Sequence, residues 1–161
     1  EKGEEYDDND ERTIFFVRGV METVKKLRWT PDVIHCQGWM TALAPLYIKK
    51  AFNDDPFFKH SKVVYSIFKD DFKKPFRNLF AERLLLEGIE NKHVVQVKDK
   101  VIDYVALSKL AIDYSDGVIQ SSPEVNADVL KYVDESKIKF LPFQSEEDYA
   151  DAYVKFYDSL L

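Results

Sequence analysis

Apolar positions Phe16, Val17, Val20, Met21, Val24 and Leu27 recur at the spacing of one helix face. Acidic residues Glu4, Glu5, Asp7, Asp8, Asp10 and Glu11 precede that stretch, and Lys25, Lys26 and Arg28 close it. Both groups suit the dipole of a helix over this region, with Asp or Asn as its cap and the other carboxylates solvated. Thr30-Pro31 stops the helix. Asp32 to Cys36 is too apolar for one wet face and reads as a buried parallel strand. Trp39 to Phe52 reads as a largely buried helix, with Pro45 kinking it or marking where its regular part starts. After the loop Asn53-Asp54-Asp55-Pro56, the β-branched Val63, Val64 and Ile67 mark a second strand over Lys62 to Phe68.

Lys69 to Pro75 is charged and loop-like. A third helix spans Asn78 to Leu86, with Gly88 as its C′ residue. Tyr104, Leu107, Leu110, Ala111 and Tyr114 form the stripe of a fourth helix over Asp103 to Tyr114. Asp116 to Gln120 is a short strand. Ser122-Pro123 has the form of a helix start, serine as cap and proline first in the helix, which runs to about Val133. Ile138 to Leu141 is the last strand. Ser145-Glu146-Glu147-Asp148 resembles a capping box and opens a terminal helix with Tyr149, Tyr153, Phe156, Tyr157 and Leu160 on one face. No internal repeat or low-complexity segment occurs. Strands alternating with helices predict an α/β, doubly wound, mostly parallel sheet, with Asp32 to Cys36 and Lys62 to Ile67 near its centre. In such a sheet ligands bind where the strands end, which singles out His35 to Trp39.

The chain has 161 residues, enough for one domain with a real core. Hydrophobic residues make up 45% of it, which excludes general disorder. A net charge of −6 argues against a nucleic-acid partner and against an anionic membrane surface. No apolar run approaches the roughly 18 residues of a membrane-spanning helix. The single cysteine cannot form an internal disulfide, and a reducing, cytoplasmic setting is the expectation. The chain begins Glu1-Lys2-Gly3, without methionine or a signal sequence, as a piece of a longer protein would.

Few residues form a chemical pattern by spacing alone. Cys36 has no activating neighbour and reads as packing. His35 and Cys36 point to opposite faces of a strand, and His60 and His93 lie in loops, so no metal set is expected. With five glycines, neither a phosphate loop nor a dinucleotide fingerprint is present, and no cofactor is expected. His35 reads as a core histidine or a ligand contact, and Trp39 as core or a sugar-stacking platform.

These residues nevertheless occur in a known order. Tyr6-Asp7-Asp8-Asn9-Asp10-Glu11-Arg12 resembles the Tyr-x-Asp-Asn-x-x-Arg stretch of bacterial glycogen synthases and plant starch synthases. Pro31-Asp32-Val33-Ile34-His35-Cys36-Gln37-Gly38-Trp39 resembles their Pro-Asp-(apolar)2-His-x-His-Asp-Trp motif, and Ala42-Leu43-Ala44-Pro45-Leu46-Tyr47 the helix that follows it. Val63 to Ile67 is similar to the family's next strand, and Leu110 to Pro123 to a segment ending Val-Ser-Pro. The resemblance implies one Rossmann-like half of a GT-B-type glycosyltransferase, which moves glucose from ADP-glucose to an α-1,4-glucan. It implies that Asp8 is the acidic residue beside the transferred glucose, and that Asn9, Arg12, His35, Gln37, Gly38 and Trp39 contact substrate.

The departures weigh on that expectation. Gln37 stands for the motif's second histidine, Gly38 for its aspartate, and Phe68-Lys69 for a His-Asn pair. The family's Lys-x-Gly-Gly loop and its whole second domain have no counterpart. Residues 1–161 are therefore expected to be a single Rossmann-like domain without its amino-terminal strands, inactive alone, or a non-catalytic glucan-binding or regulatory module. The well-formed terminal helix fits a short natural relative, and a cut from a full enzyme is the competing reading. An open sheet edge would pair with a second copy or with the missing segment.

Overall fold

The computed structural model describes residues 5–86 and 88–161. Among these, four strands form one parallel sheet in the order β1 (Val33–Gln37), β2 (Lys62–Ile67), β3 (Gly117–Gln120) and β4 (Lys139–Leu141). Register is fixed by pairs such as His35 with Val64, Ser66 with Ile119, and Val118 with Phe140. The helices are α1 (Asn9–Lys26), α2 (Ala44–Leu46), α3 (Phe80–Arg83), α4 (Tyr104–Asp113), α5 (Ala127–Ser136) and α6 (Tyr149–Asp158). This is the expected α/β architecture, with helices on both faces of the sheet, but of the two strands expected near its centre only β2 lies there: among the described residues β1 pairs with β2 alone and is an edge strand.

The faces are unequal. Val17 and Met21 of α1, Leu46 of α2, Phe80 of α3, Leu107 of α4 and Val129 of α5 share one core with Cys36, Val63, Tyr65 and Val118. The opposite face carries Val33, Val64, Ile119 and Leu141, and among the described residues it is covered by Tyr153, Phe156 and Tyr157 of α6 and by Leu160 just after it. The terminal aromatic stripe is thus packing, with Tyr149 left half exposed beside Tyr153. Alternation along β1 to β4 explains the division, since a strand sends successive side chains to opposite faces.

Several boundaries differ from expectation. Trp39 to Phe52 is not one helix. It is a 3₁₀ turn at Trp39–Thr41, then α2, then a π turn at Tyr47–Ala51 closed by the Phe52 N–H donating to the Tyr47 carbonyl at 2.9 Å. Pro45 falls in the first turn of α2, where its missing N–H costs nothing, so it does mark the start of the regular part. The third helix is only the turn of α3, and Gly88 lies in a turn beyond it rather than as its C′ residue. Ser122 does not cap α5. Asn126 does, its side-chain oxygen accepting from the backbone N–H groups of Asp128 and Val129, while Ser122 Oγ instead accepts the Lys69 N–H across from β2. Ser145 forms no capping box, because its hydroxyl donates to the Asp148 carboxylate at 2.8 Å.

Asp10 is the largest departure. It is 1% exposed rather than solvated. Arg77 donates to both of its oxygens, at 2.8 and 2.7 Å, and Arg83 lies 3.6 Å away. This pairing fastens α1 to the loop before α3. On the same helix the Thr13 hydroxyl donates to the Met40 carbonyl at 2.8 Å, fixing α1 against the 3₁₀ turn. Asp10→Asn removes the charge that two arginines converge on. The urea midpoint is expected to fall with an unchanged slope, since the fold itself is kept.

Gly117 at the start of β3 lets α6 approach. A Cβ there would lie 2.8 Å from Phe156 Cζ and 3.3 Å from Leu160 Cδ1. Gly117→Ala is therefore expected to destabilise the protein by about 1–3 kcal/mol, the usual cost of overpacking. Hydrogen exchange should show the loss concentrated in α6.

Candidate functional site

The carboxyl ends of the four strands converge on one rim, as parallel topology requires. Between them lies a cleft of about 450 Å³. Gln37 enters it from the end of β1, Phe68 from β2, and Ser121 and Pro123 from β3. Phe143 and Gln144 follow β4, and Ser145, Glu146, Tyr149 and Tyr153 belong to the approach to α6 and to α6 itself. Two more open grooves, of about 520 and 470 Å³, flank Phe15 on α1. Phe15 is 82% exposed there, and the second groove is walled by apolar side chains such as Val20, Leu27 and Trp29. The first is also lined by the charged side chains of Glu11, Arg18, Glu22 and Arg83, and neither groove includes a residue of the strand ends.

Beneath the cleft runs a chain of hydrogen bonds. Ser121 Oγ donates to Ser66 Oγ at 3.0 Å, so its other partner, Tyr153 Oη at 2.9 Å, must donate to it. Ser66 Oγ, fully buried and with no other acceptor among the described residues, is assigned as the donor to His35 Nε2, a short contact. The imidazole proton is left on Nδ1, which donates to Tyr157 Oη at 2.8 Å. Both tyrosine rings also meet the imidazole edge-on, at 5.7 and 5.8 Å between centroids. His35 is thus a part-buried connector between the sheet and α6. Burial pushes its pKa down to about 4, so it is neutral at pH 7. On the other face of β1, burial pushes the Cys36 thiol up to about 12, and it is inert packing.

The remaining sequence candidates scatter. Gly38 has φ +72°, a conformation open to glycine, and a Cβ on it would sit 2.6 Å from Asp70 Oδ2. That same oxygen accepts the Trp39 N–H at 3.1 Å. Trp39 is half buried and packs edge-on against Phe72 and Phe76. Asp8 occupies the cap position of α1 without capping it. Its carboxylate accepts from Arg12 Nε at 2.7 Å, and this bond holds its pKa below the usual carboxylate range. The Arg12 guanidinium lies 4.3 Å over the Tyr6 ring, and Asn9 begins α1. Of these candidates only Gln37 lines the cleft, and His35 supports it from below. Phe143, Gln144 and Tyr149 carry no motif. Their signal was position, since they follow the end of the last strand. Among the described residues no group of three or more His, Cys, Asp or Glu side chains is placed to hold a metal ion.

The buried imidazole makes stability depend on pH. The unfolded chain takes up a proton near the ordinary value of 6.5, and the folded chain only near 4. Protons therefore favour the unfolded state across that window. The His35 contribution is expected to lower stability by about 3 kcal/mol as pH drops through that window, and to change no further above or below it. Urea titrations at several pH values check this, against His35→Gln, in which that contribution is absent.

Known proteins resemble this chain in sequence and in fold. The family model described as starch synthase catalytic domain matches residues 1–139. The glycogen synthase of Photobacterium profundum is 31% identical over 133 residues, 83% of this chain and 26% of the relative. That of Clostridium perfringens is 35% identical over 117 residues, 71% of this chain and 23% of the relative. That of Geotalea uraniireducens is 39% identical over 90 residues, 55% of this chain and 18% of the relative. The chain thus spans about a quarter or less of the length of these relatives. Among solved structures, the catalytic domain of starch synthase IV from Arabidopsis thaliana, bound to ADP and acarbose, superposes with a TM-score of 0.66 at 16% identity. It covers 88% of this chain, which covers 31% of it, and the likeness is one of fold. A parallel sheet with its strand-end cleft, a family model over most of the sequence and relatives matched across its length together show that the chain belongs to the starch synthase catalytic-domain family, which includes the bacterial glycogen synthases.

Proposed function

We propose that this chain is one wall of a glucosyltransferase that moves glucose from ADP-glucose to an α-1,4-glucan, and that the chain alone does not catalyse transfer. The observation that carries the reading is the family match over residues 1–139, on a sheet whose strand ends open into a cleft. Residues 1–161 form a single Rossmann-like domain on this reading. The donor-holding groups lie in a second domain, and transfer requires closure of the two, because in-line geometry comes from holding both substrates at once. Asp8, Asn9 and Arg12 then face that closure from the amino end of α1, and of the candidates at the end of β1 it is Gln37, which lines the cleft, that meets substrate. The protein works in the cytoplasm, where its lone thiol stays reduced.

Two observations favour the second reading, a non-catalytic glucan-binding or regulatory module on the same fold. Gln37 keeps a hydrogen-bonding group where the family has a titratable one. His35, the motif histidine that is retained, is neutral and bonded at both nitrogens, so it has no free position for proton transfer. For either reading the exposed apolar side of α1 and the free edge of β1 are where further chain packs, either a preceding segment of the natural protein or a second copy.

The complete natural protein, incubated with radiolabelled ADP-glucose and a glycogen primer, tests the transferase reading. Incorporation is expected from the complete protein and none from the 161-residue chain. Incorporation by the short chain would show that the second domain is dispensable. A complete protein that retains glycogen on a native gel without incorporation would move the assignment to the binding module.

A further inference from the structure

We infer that one internal water molecule is held between Tyr65, Tyr104, Ser108 and Asp70, beneath the turn that follows β1, and that it braces that turn through Asp70. The site goes beyond the glucosyltransferase reading and does not depend on it, since none of these four side chains lines the strand-end cleft.

Among the described residues, four buried side-chain polar atoms have no hydrogen-bond partner, and three of them are Tyr65 Oη, Ser108 Oγ and Asp70 Oδ1. Topology brings these three to one place. Tyr65 is the residue of β2 paired with Cys36 of β1, two residues before Gly38. Tyr65 and Ser108 are both fully buried. Tyr104 and Ser108 are one turn apart on α4 and so share a face of that helix. The Tyr104 hydroxyl donates to the Phe68 carbonyl at 3.1 Å, which sets this face against the segment after β2 that carries Asp70. Burial pushes the Tyr65 phenol up, the Ser108 hydroxyl beside it counters part of that, and the Asp70 charge adds to it. Burial likewise raises Tyr104, with Tyr65 and Asp70 as the next causes.

Buried polar groups in folded proteins are ordinarily hydrogen-bonded, to protein or to water. A serine inside a helix commonly donates to the carbonyl four residues back, and Ser108 does not. The donor and acceptor inventory then selects the occupant. Two protons need acceptors, those of Tyr65 and Ser108. Two oxygens can accept, Asp70 Oδ1 and Tyr104 Oη, whose own proton is committed to Phe68. One water accepts two hydrogen bonds and donates two, so it serves the whole set. A direct bond between Tyr65 and Ser108 would use only one of their protons and leave Asp70 Oδ1 bare. A sodium ion would take lone pairs and leave both hydroxyl protons without acceptors where solvent does not reach. With the water bound, Asp70 is held at both oxygens, by the water at Oδ1 and by the Trp39 N–H at Oδ2. The 3₁₀ turn at Trp39–Thr41 is thereby tied to β2 and α4.

The test uses two conservative variants of the 161-residue chain, Tyr65→Phe and Ser108→Ala, each of which removes one hydroxyl and little volume. With a water bound, each variant is expected to lower the thermal midpoint and to speed exchange of the Trp39 amide about tenfold, as the loss of one buried hydrogen bond would. Bare hydroxyls give the opposite sign, because their removal relieves an unsatisfied donor. A midpoint that stays or rises in both variants therefore overturns the inference. A high-resolution crystal structure is expected to show one water oxygen within hydrogen-bond reach of Tyr65 Oη, Ser108 Oγ and Asp70 Oδ1. A direct bond between Tyr65 and Ser108 with no water among these groups overturns it. So does a saturable rise of the midpoint with sodium chloride that choline chloride of equal ionic strength does not reproduce, the mark of a bound cation. Glucose incorporation by the complete protein, present or absent, leaves each of these outcomes as it is.

Discussion

Strand β2 has both edges paired and both faces buried, and this constraint shapes everything around it. Val63, Val64, Tyr65, Ser66 and Ile67 are all without solvent exposure. A parallel strand in that position needs cover above and below. Helices α1 to α5 supply it on one face, and among the described residues α6 on the other. Because α6 is the cover that the described residues supply on that face, its seat must be close, and Gly117 provides the room for Phe156. Because polar side chains also point to that face, they must find partners there. Ser66 and His35 do so through Ser121, Tyr153 and Tyr157. A buried imidazole without those bonds would leave two polar nitrogens unsatisfied, at a cost of about 1–3 kcal/mol each.

The same arrangement ties the fold to the cleft. Tyr153 both lines the cleft and bonds Ser121 at the end of β3. The hydroxyl that anchors α6 is therefore part of the surface a ligand would meet. Function and stability share side chains here, so the pH dependence assigned to His35 should also act on the cleft wall. Protonating the imidazole removes the acceptor that Ser66 uses, and the chain of bonds up to Tyr153 must then rearrange.

The strands β1 to β3 were legible in the sequence because each is a short run with β-branched members between loop signals, and β4 because a short, mostly apolar run follows α5. The helix over Asp103 to Tyr114 was legible because its stripe and its aspartate cap agree. Errors occurred where a local signal met a tertiary competitor. Ser122-Pro123 has the residues of a helix start, but Ser122 Oγ is taken by the Lys69 backbone, and the helix waits for Asn126. Asp10 has the look of a solvated carboxylate, and only the arrival of Arg77 and Arg83, far along the chain, makes its burial tolerable. The cleft was half legible. Gln37 followed from topology and motif order, whereas Phe143 and Tyr149 belong to no motif and become neighbours of Gln37 only once β4 and α6 are in place.

The glycine at position 38 shows how a departure from a motif is absorbed. The resemblance places an aspartate there, which a positive φ and a close neighbour both disfavour in this chain. The neighbour is itself a carboxylate. Asp70, from the segment after β2, puts Oδ2 where a side chain on residue 38 would begin and accepts the Trp39 N–H. Its second oxygen, Oδ1, is buried without a protein partner. The negative charge is thus retained at the end of β1 but arrives from the next strand. That placement keeps the 3₁₀ turn at Trp39–Thr41 anchored while Trp39 packs against Phe72 and Phe76 rather than facing the cleft. A residue-by-residue reading of the motif records a lost aspartate. In space a carboxylate still stands beside residue 38, that of Asp70, and it anchors the turn through the Trp39 N–H.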